Sequence, residues 1–250
     1  MTTPKPATTL LMLQDRLIRG CRERRTFFEK GDLFIHGLHT DAKGLQKSNY
    51  QEWLVISLMI ATECGQHKDV KDYVQQLSRS LPNAGVCHNI LVASSRLLKP
   101  SLVTPFLQNH VDAPTRDLLE SVPPLATIGA HRQFYLAIET LKKAKVNVLN
   151  IGSYQHVINM AKNMRNTGVE EATTMAIMEC AGKILEKHHL KWVAHETFDT
   201  FHDGEMGVFL PIDVAPSVAA KLDVELFDKL SEKELDTVPF FVSFIGTKIE

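Results

Sequence analysis

The sequence lacks most of the features that announce a chemistry. Its four cysteines, Cys21, Cys64, Cys87 and Cys180, are widely spaced and form no Cys-x-x-Cys pair, so neither a disulfide framework nor a paired-thiol zinc site is written in the chain. No Asn-x-Ser/Thr acceptor occurs, and no apolar leader follows Met-Thr-Thr-Pro-Lys-Pro. The expectation is free thiols in a reducing cytosolic or nuclear setting. The longest apolar run, Val238 to Ile245, is interrupted by Ser243 and falls far short of the roughly 20 residues that span a bilayer. A membrane can be touched by such a chain but not crossed. Nucleotide-binding glycine motifs, the GxSxG elbow and HExxH are all missing, which removes the readily recognised enzyme classes. Internal repeats and low-complexity stretches are absent too.

What remains is globular: 250 residues, 44% hydrophobic and 23% charged, with a formal charge of −1. That total hides a polarity. Residues 1–195 carry 24 basic and 17 acidic groups, a net of +7, whereas residues 196–250 carry 4 and 12, a net of −8. The chain has a basic body and an acidic tail, and one copy's tail complements the next copy's body.

Apolar spacing predicts a mostly helical body. Leu10, Leu13, Leu17 and Cys21 mark a helix over 8–30, followed by a glycine-bearing loop over 31–47. Asn49 caps an apolar helix from Tyr50 to Cys64, and further helices are expected over 67–81 and 86–98. Pro100 and Pro105 read as a connector and Pro123-Pro124 as a break. Three helices follow, over 126–145, 153–166 and 169–187, the last apolar almost all round. Val208–Val214 and Val238–Ile245 look extended, with an acidic helix at about 217–235 between them. These two strands can pair with each other, dock on the body or bind a neighbour. The expected architecture is all-α: two packed helical bundles, residues 1–99 and 100–190, then a small acidic C-terminal domain, 191–250, with short strands.

Two basic clusters are candidate sites for the phosphates of RNA or anionic lipid. Arg16, Arg19, Arg22, Arg24 and Arg25 put five guanidiniums within ten residues, and Lys142, Lys143 and Lys145 gather at a helix C-terminus. The bland alternative is a solvated helix face. No aromatic-interleaved basic stretch of the RNA-recognition type occurs, so RNA contact is expected to be sequence-independent and salt-sensitive.

His188, His189, His195 and His202 form the densest polar group and are candidate pH sensors, because clustered imidazoles charge near pH 6 and repel. His188, His195 and His202 recur every seven residues, on one face if a single helix carries them. Seven residues rise about 10.5 Å, too far for one ion whose zinc–nitrogen bonds are about 2 Å, so no metal site is assigned. His202-Asp203 is also shared with helical metal-dependent phosphohydrolases, for which His156 and Asp223 are the available partners. No catalytic residue and no cofactor is assigned.

One stretch resembles a known family. Leu141-Lys142-Lys143-Ala144-Lys145, Ile151-Gly152-Ser153-Tyr154, Thr167-Gly168 and Glu179-Cys180-Ala181 are similar in order to the matrix proteins of orthomyxoviruses. In that family a basic helix precedes a Ser-Tyr-started helix, a glycine turn follows, and a Cys-Ala pair comes about twelve residues later. The similar region covers about 50 of the 250 residues. The resemblance implies a virion protein that polymerises beneath the envelope, touches anionic membrane on one side and holds viral ribonucleoprotein or RNA on the other. It implies residence in the virion and, in the host, in cytoplasm, nucleus and the inner face of the plasma membrane. Lys142, Lys143 and Lys145 match the family's basic cluster. Lys183 stands where the family's second zinc-motif cysteine would be, which argues against a zinc site, and the overall charge is not basic, which points to a divergent, thogotovirus-like branch. The alternatives are an RNA-packaging nucleoprotein, a helical adaptor and the phosphohydrolase. Under the matrix reading, assembly is expected to loosen between pH 7 and 5 through the histidine group.

Overall fold

Helix signals that the sequence displays openly are realised first where a polar cap meets an apolar face. In the computed structural model, residues 9–22, 24–29, 31–79, 82–110, 115–146, 154–193, 197–200 and 205–248 are described. For residues 108–110, 116, 154–157, 160, 197, 198 and 200 the description is of the backbone. The chain divides into two compact units, residues 1–82 and 83–250.

The first unit holds four helices, α1 (Thr9–Cys21), α2 (Leu33–Ser48), α3 (Tyr50–Glu63) and α4 (His67–Leu77). Asn49 caps α3 by accepting from the Glu52 N–H at 3.2 Å, as expected. The helix expected over 8–30 stops at Cys21, and the loop expected over 31–47 is the helix α2. Asp32 starts α2 by accepting from the Phe34 N–H at 2.9 Å. Ile35, Leu38, Ala42 and Leu45 then pack with Leu13, Leu17, Phe28, Ile56 and Ile60 into one core. Burial of that face outweighs the helix-weakening glycines Gly37 and Gly44 within it.

The second unit runs α5 (Ala84–Leu97), 3₁₀ turns at Pro100–Leu102 and Thr104–His110, α6 (Thr115–Thr127), α7 (His131–Lys143), α8 (Tyr154–Thr167) and α9 (Glu171–Lys187). It continues through β1 (Thr197–Thr200), β2 (Met206–Ile212), α10 (Pro216–Ser231) and β3 (Phe240–Gly246). Thus α5 belongs here, and the boundary expected at 99/100 falls inside this unit. Pro123-Pro124 does not break the chain but lies within α6. Two intrahelical N–H donors are lost there, while Leu118, Val122, Leu125 and Ala126 are buried and hold the helix across the pair.

α9 is the central apolar helix, with Ile177, Met178, Cys180, Ala181, Ile184 and Leu185 buried. It approaches the end of α5 so closely that a Cβ at Gly182 would drive into the Leu98 carbonyl. After α9, the Trp192 indole N–H donates to the Ser95 and Arg96 carbonyls at 3.1 and 3.0 Å, pinning the exit of α9 to the last turn of α5. The Ser95 carbonyl also accepts from the Leu98 N–H at 3.2 Å, so the indole adds to the backbone cap at this helix end.

The three strands form one sheet in the order β1-β2-β3. β1 pairs antiparallel with β2, and β2 pairs parallel with β3 in the register Val208↔Val242 and Leu210↔Phe244. The two strands expected from the sequence therefore pair with each other. A parallel pair needs a crossover, which α10 provides while packing on β3 and α9. Asp223 of α10 accepts from the Phe244 N–H at 2.7 Å and the Ser243 hydroxyl at 2.8 Å. The chain is mostly helical, with this small sheet as its one β element among the described residues.

Candidate polyanion interface

Charge along the second unit concentrates in α7 and α8, which pack against each other. Residues 131–167 carry Arg132, Lys142, Lys143, Lys145, Lys162 and Arg165 against the single carboxylate Glu139. The inward faces explain why the cations point out. Phe134, Ala137, Ile138 and Leu141 of α7 are buried, as are Ile158, Ala161 and Met164 of α8. All six cations are exposed. Lys142 pairs with Glu139 at 3.2 Å, and the Arg165 guanidinium lies 5.9 Å from the Tyr135 ring centroid. Arg132, Lys143, Lys145 and Lys162 have no ion pair among the described residues.

Both ends of α7 are held by specific contacts. At its start Ala130 offers no side-chain cap. Glu171 of α9 fills that role, its carboxylate accepting from the Gln133 N–H at 2.9 Å. Gly129, at φ +75°, brings the preceding turn against the Thr174 backbone, and a Cβ there would stand 3.0 Å from it. His131 is buried, with Nδ1 3.2 Å from the Thr174 hydroxyl. Burial holds its pKa below the ordinary value, against the opposing pull of Glu171, so the imidazole is neutral at neutral pH. At the far end the Val146 N–H donates to Leu141 O and the Lys145 N–H to Lys142 O. Lys145 occupies the left-handed position at φ 58°, where glycine is usual. Three lysines thus surround the negative end of the helix dipole.

The arginine cluster is arranged differently. Only Arg16 and Arg19 lie on α1, because the helix ends at Cys21 before Arg22, Arg24 and Arg25. The five arginines expected on one helix over 8–30 are therefore divided between α1 and the chain that follows it. Arg16 is paired with Asp41, Arg19 with Asp15 at 2.6 Å, and Arg24 with Asp32 at 3.4 Å. Arg24 also lies 4.0 Å above the Phe28 ring. Arg22 and Arg25 are exposed. Local carboxylates thus neutralise much of this cluster, whereas the α7–α8 cations keep their charge outward.

Of the histidine group, His188 and His189 lie past the end of α9 at Lys187, and His189 turns the chain at φ 52°. His188 Nε2 lies 2.7 Å from Glu225 of α10, and Lys187 donates to the same carboxylate at 2.6 Å. These two bonds, Lys187 first, hold Glu225 below the ordinary carboxyl range. His189 is exposed, and His195 and His202 lie outside the described residues. For the phosphohydrolase alternative, Asp223 is engaged with β3, while the His156 side chain, His202 and Asp203 are not described. Among the described residues no group of three or more His, Cys, Asp or Glu side chains is placed to hold a metal ion, and no helix is long and apolar enough to cross a membrane.

Sequence reasoning found Lys142, Lys143 and Lys145 but missed Arg132, Lys162 and Arg165, of which Arg165 comes beside Tyr135 only when α8 packs on α7. The signal available in the sequence was the near-absence of acidic residues over 131–167. Compared with protein-family models, curated proteins and solved structures, the chain has no match.

Proposed function

We propose that the protein is a structural, self-assembling layer protein of the viral matrix kind, which bridges anionic membrane and ribonucleoprotein without reading sequence. The observation that carries the reading is the α7–α8 hairpin: six exposed cations against one carboxylate, on a rigid, capped scaffold. Phosphates attract such a surface through charge and counterion release, whichever polymer or lipid presents them. In this reading the two compact units act as the two helical bundles of the layer protein. Its place is beneath the envelope of the virion and, in the host, at the inner face of the plasma membrane, in the cytoplasm and in the nucleus. The resemblance around residues 141–181 supports the same assignment.

The test is co-sedimentation with phosphatidylserine vesicles together with RNA gel shift, each across a salt series. Binding through about six phosphate contacts should weaken roughly 10³-fold between 50 and 200 mM salt. The variants K142E/K143E/K145E and R132E/K162E/R165E should each lose binding while keeping their helical circular dichroism. RNA shifting without vesicle binding would favour the nucleoprotein reading, and unchanged binding in both variants would remove the hairpin from the proposal.

A further inference from the structure

Among the described residues ten large apolar side chains are exposed, and six of them sit on two helices. Leu11, Met12 and Ile18 lie on α1, and Val218, Val224 and Phe227 on α10, exposed to between 41% and 62%. Concentration on two helices distinguishes these from the scattered apolar residues of any surface. The charges beside them are complementary. Arg22 follows α1, and Asp228 lies near the end of α10, both exposed and both without an ion pair among the described residues.

We infer that α10 of one copy docks on α1 of a second copy, side by side and parallel. A constant offset places Met12 against Val218, Asp15 against Lys221, Ile18 against Val224 and Arg22 against Asp228. Two apolar contacts and two opposite-charge contacts thus alternate along one seam. Antiparallel alignment would set the basic end of α1 against Lys221. In the heterologous arrangement one contact leaves α1 of one copy and α10 of the other open. That arrangement propagates rather than closing as a dimer. A lipid surface is the weaker occupant for α1, because Asp15 lies within its exposed face and Arg16 and Arg19 already have carboxylate partners. The inference rests on the layer-protein reading for its biological sense, and it leaves the α7–α8 cations available for phosphates.

Sedimentation velocity of the full chain at low salt tests it. Wild type should form concentration-dependent species larger than a dimer, and the surface variants I18D and V224D should each remain monomeric with unchanged circular dichroism. Mixed one to one, those two variants should form a dimer and nothing larger, since one native α1 and one native α10 remain. R22D should weaken assembly about tenfold, and R22D/D228R should restore it. A monomeric wild type, assembly of either apolar variant, or a mixture that stays monomeric would each overturn the inference. So would loss of phosphatidylserine-vesicle binding by I18D with assembly unchanged, which would assign the α1 face to lipid. RNA and vesicle binding read separately: binding by a monomeric wild type sinks this contact alone, whereas assembly without any polyanion binding sinks the proposed function alone.

Discussion

Glu171 accepts a hydrogen bond from the Gln133 backbone N–H at 2.9 Å, so the first turn of the basic hairpin is capped by a different helix. The integrity of the cationic surface is thereby tied to the central helix α9. It also places a carboxylate beside the buried imidazole of His131.

Removing that carboxylate should loosen the hairpin. Glu171→Ala is expected to cost about 1 kcal/mol, the usual loss for an N-cap acceptor. Glu171→Gln, which retains an acceptor oxygen, should recover most of it. Urea unfolding of the three proteins decides this, and hydrogen exchange at residues 132–134 locates it. Equal stability of Ala and Gln variants would show that the carboxylate acts through charge rather than as a cap.

Acid sensitivity should follow the buried His131 and the half-buried His88. His131 and His88 are both held below the ordinary value of 6.5, chiefly by burial, against raising influences from Glu171 and from Glu120 and Asp117 respectively. A depressed histidine favours the folded state fully above about pH 6.5. That contribution falls as the pH drops below it toward the folded-state value, because the unfolded chain takes up the proton first. Glu225 behaves differently: its lowered pKa keeps its contribution intact until the pH falls below the ordinary carboxyl range near 4.5. Thermal melts at pH 7.5 and 5.5 should therefore show a loss in wild type that shrinks in H88Q/H131Q. An unchanged loss in that variant would place the acid response elsewhere.

Lys145 combines charge with a strained backbone. Lys145→Gly should relieve the left-handed φ of 58° and stabilise the second unit by about 1 kcal/mol, while weakening vesicle and RNA binding. A stability gain without a binding loss would separate Lys145 from the phosphate surface.

How much of this was legible in the sequence depends on the range of the forces involved. α3 announces itself by its cap, α8 and α9 by their apolar residues, and the strands around Val208 and Val242 by short apolar runs, because those signals are local. α2 was hidden by its glycines, which are tolerated only because Ile35, Leu38 and Leu45 are buried against other helices. Pro123-Pro124 misled for the same reason: tertiary burial carries α6 across a pair that local propensity forbids. The arginine cluster was legible as residues but not as free charge, since Asp41 and Asp32 reach Arg16 and Arg24 only through the fold. Tyr135 and Arg165 are separated by 30 positions along the chain, so no window in the sequence shows the guanidinium beside that ring.

The hold of Asp223 on the Phe244 N–H has a consequence for how copies of this chain can grow into a larger body. At Phe244 the backbone donor of β3 is engaged by Asp223 and α10 packs on the strand, so backbone-to-backbone strand addition is opposed at that position. Growth through the exposed faces of α1 and α10 relies instead on side chains, whose apolar and ionic contacts respond to salt. An assembly joined in that manner can be taken apart and rebuilt, whereas one joined by continuous sheet would persist like amyloid.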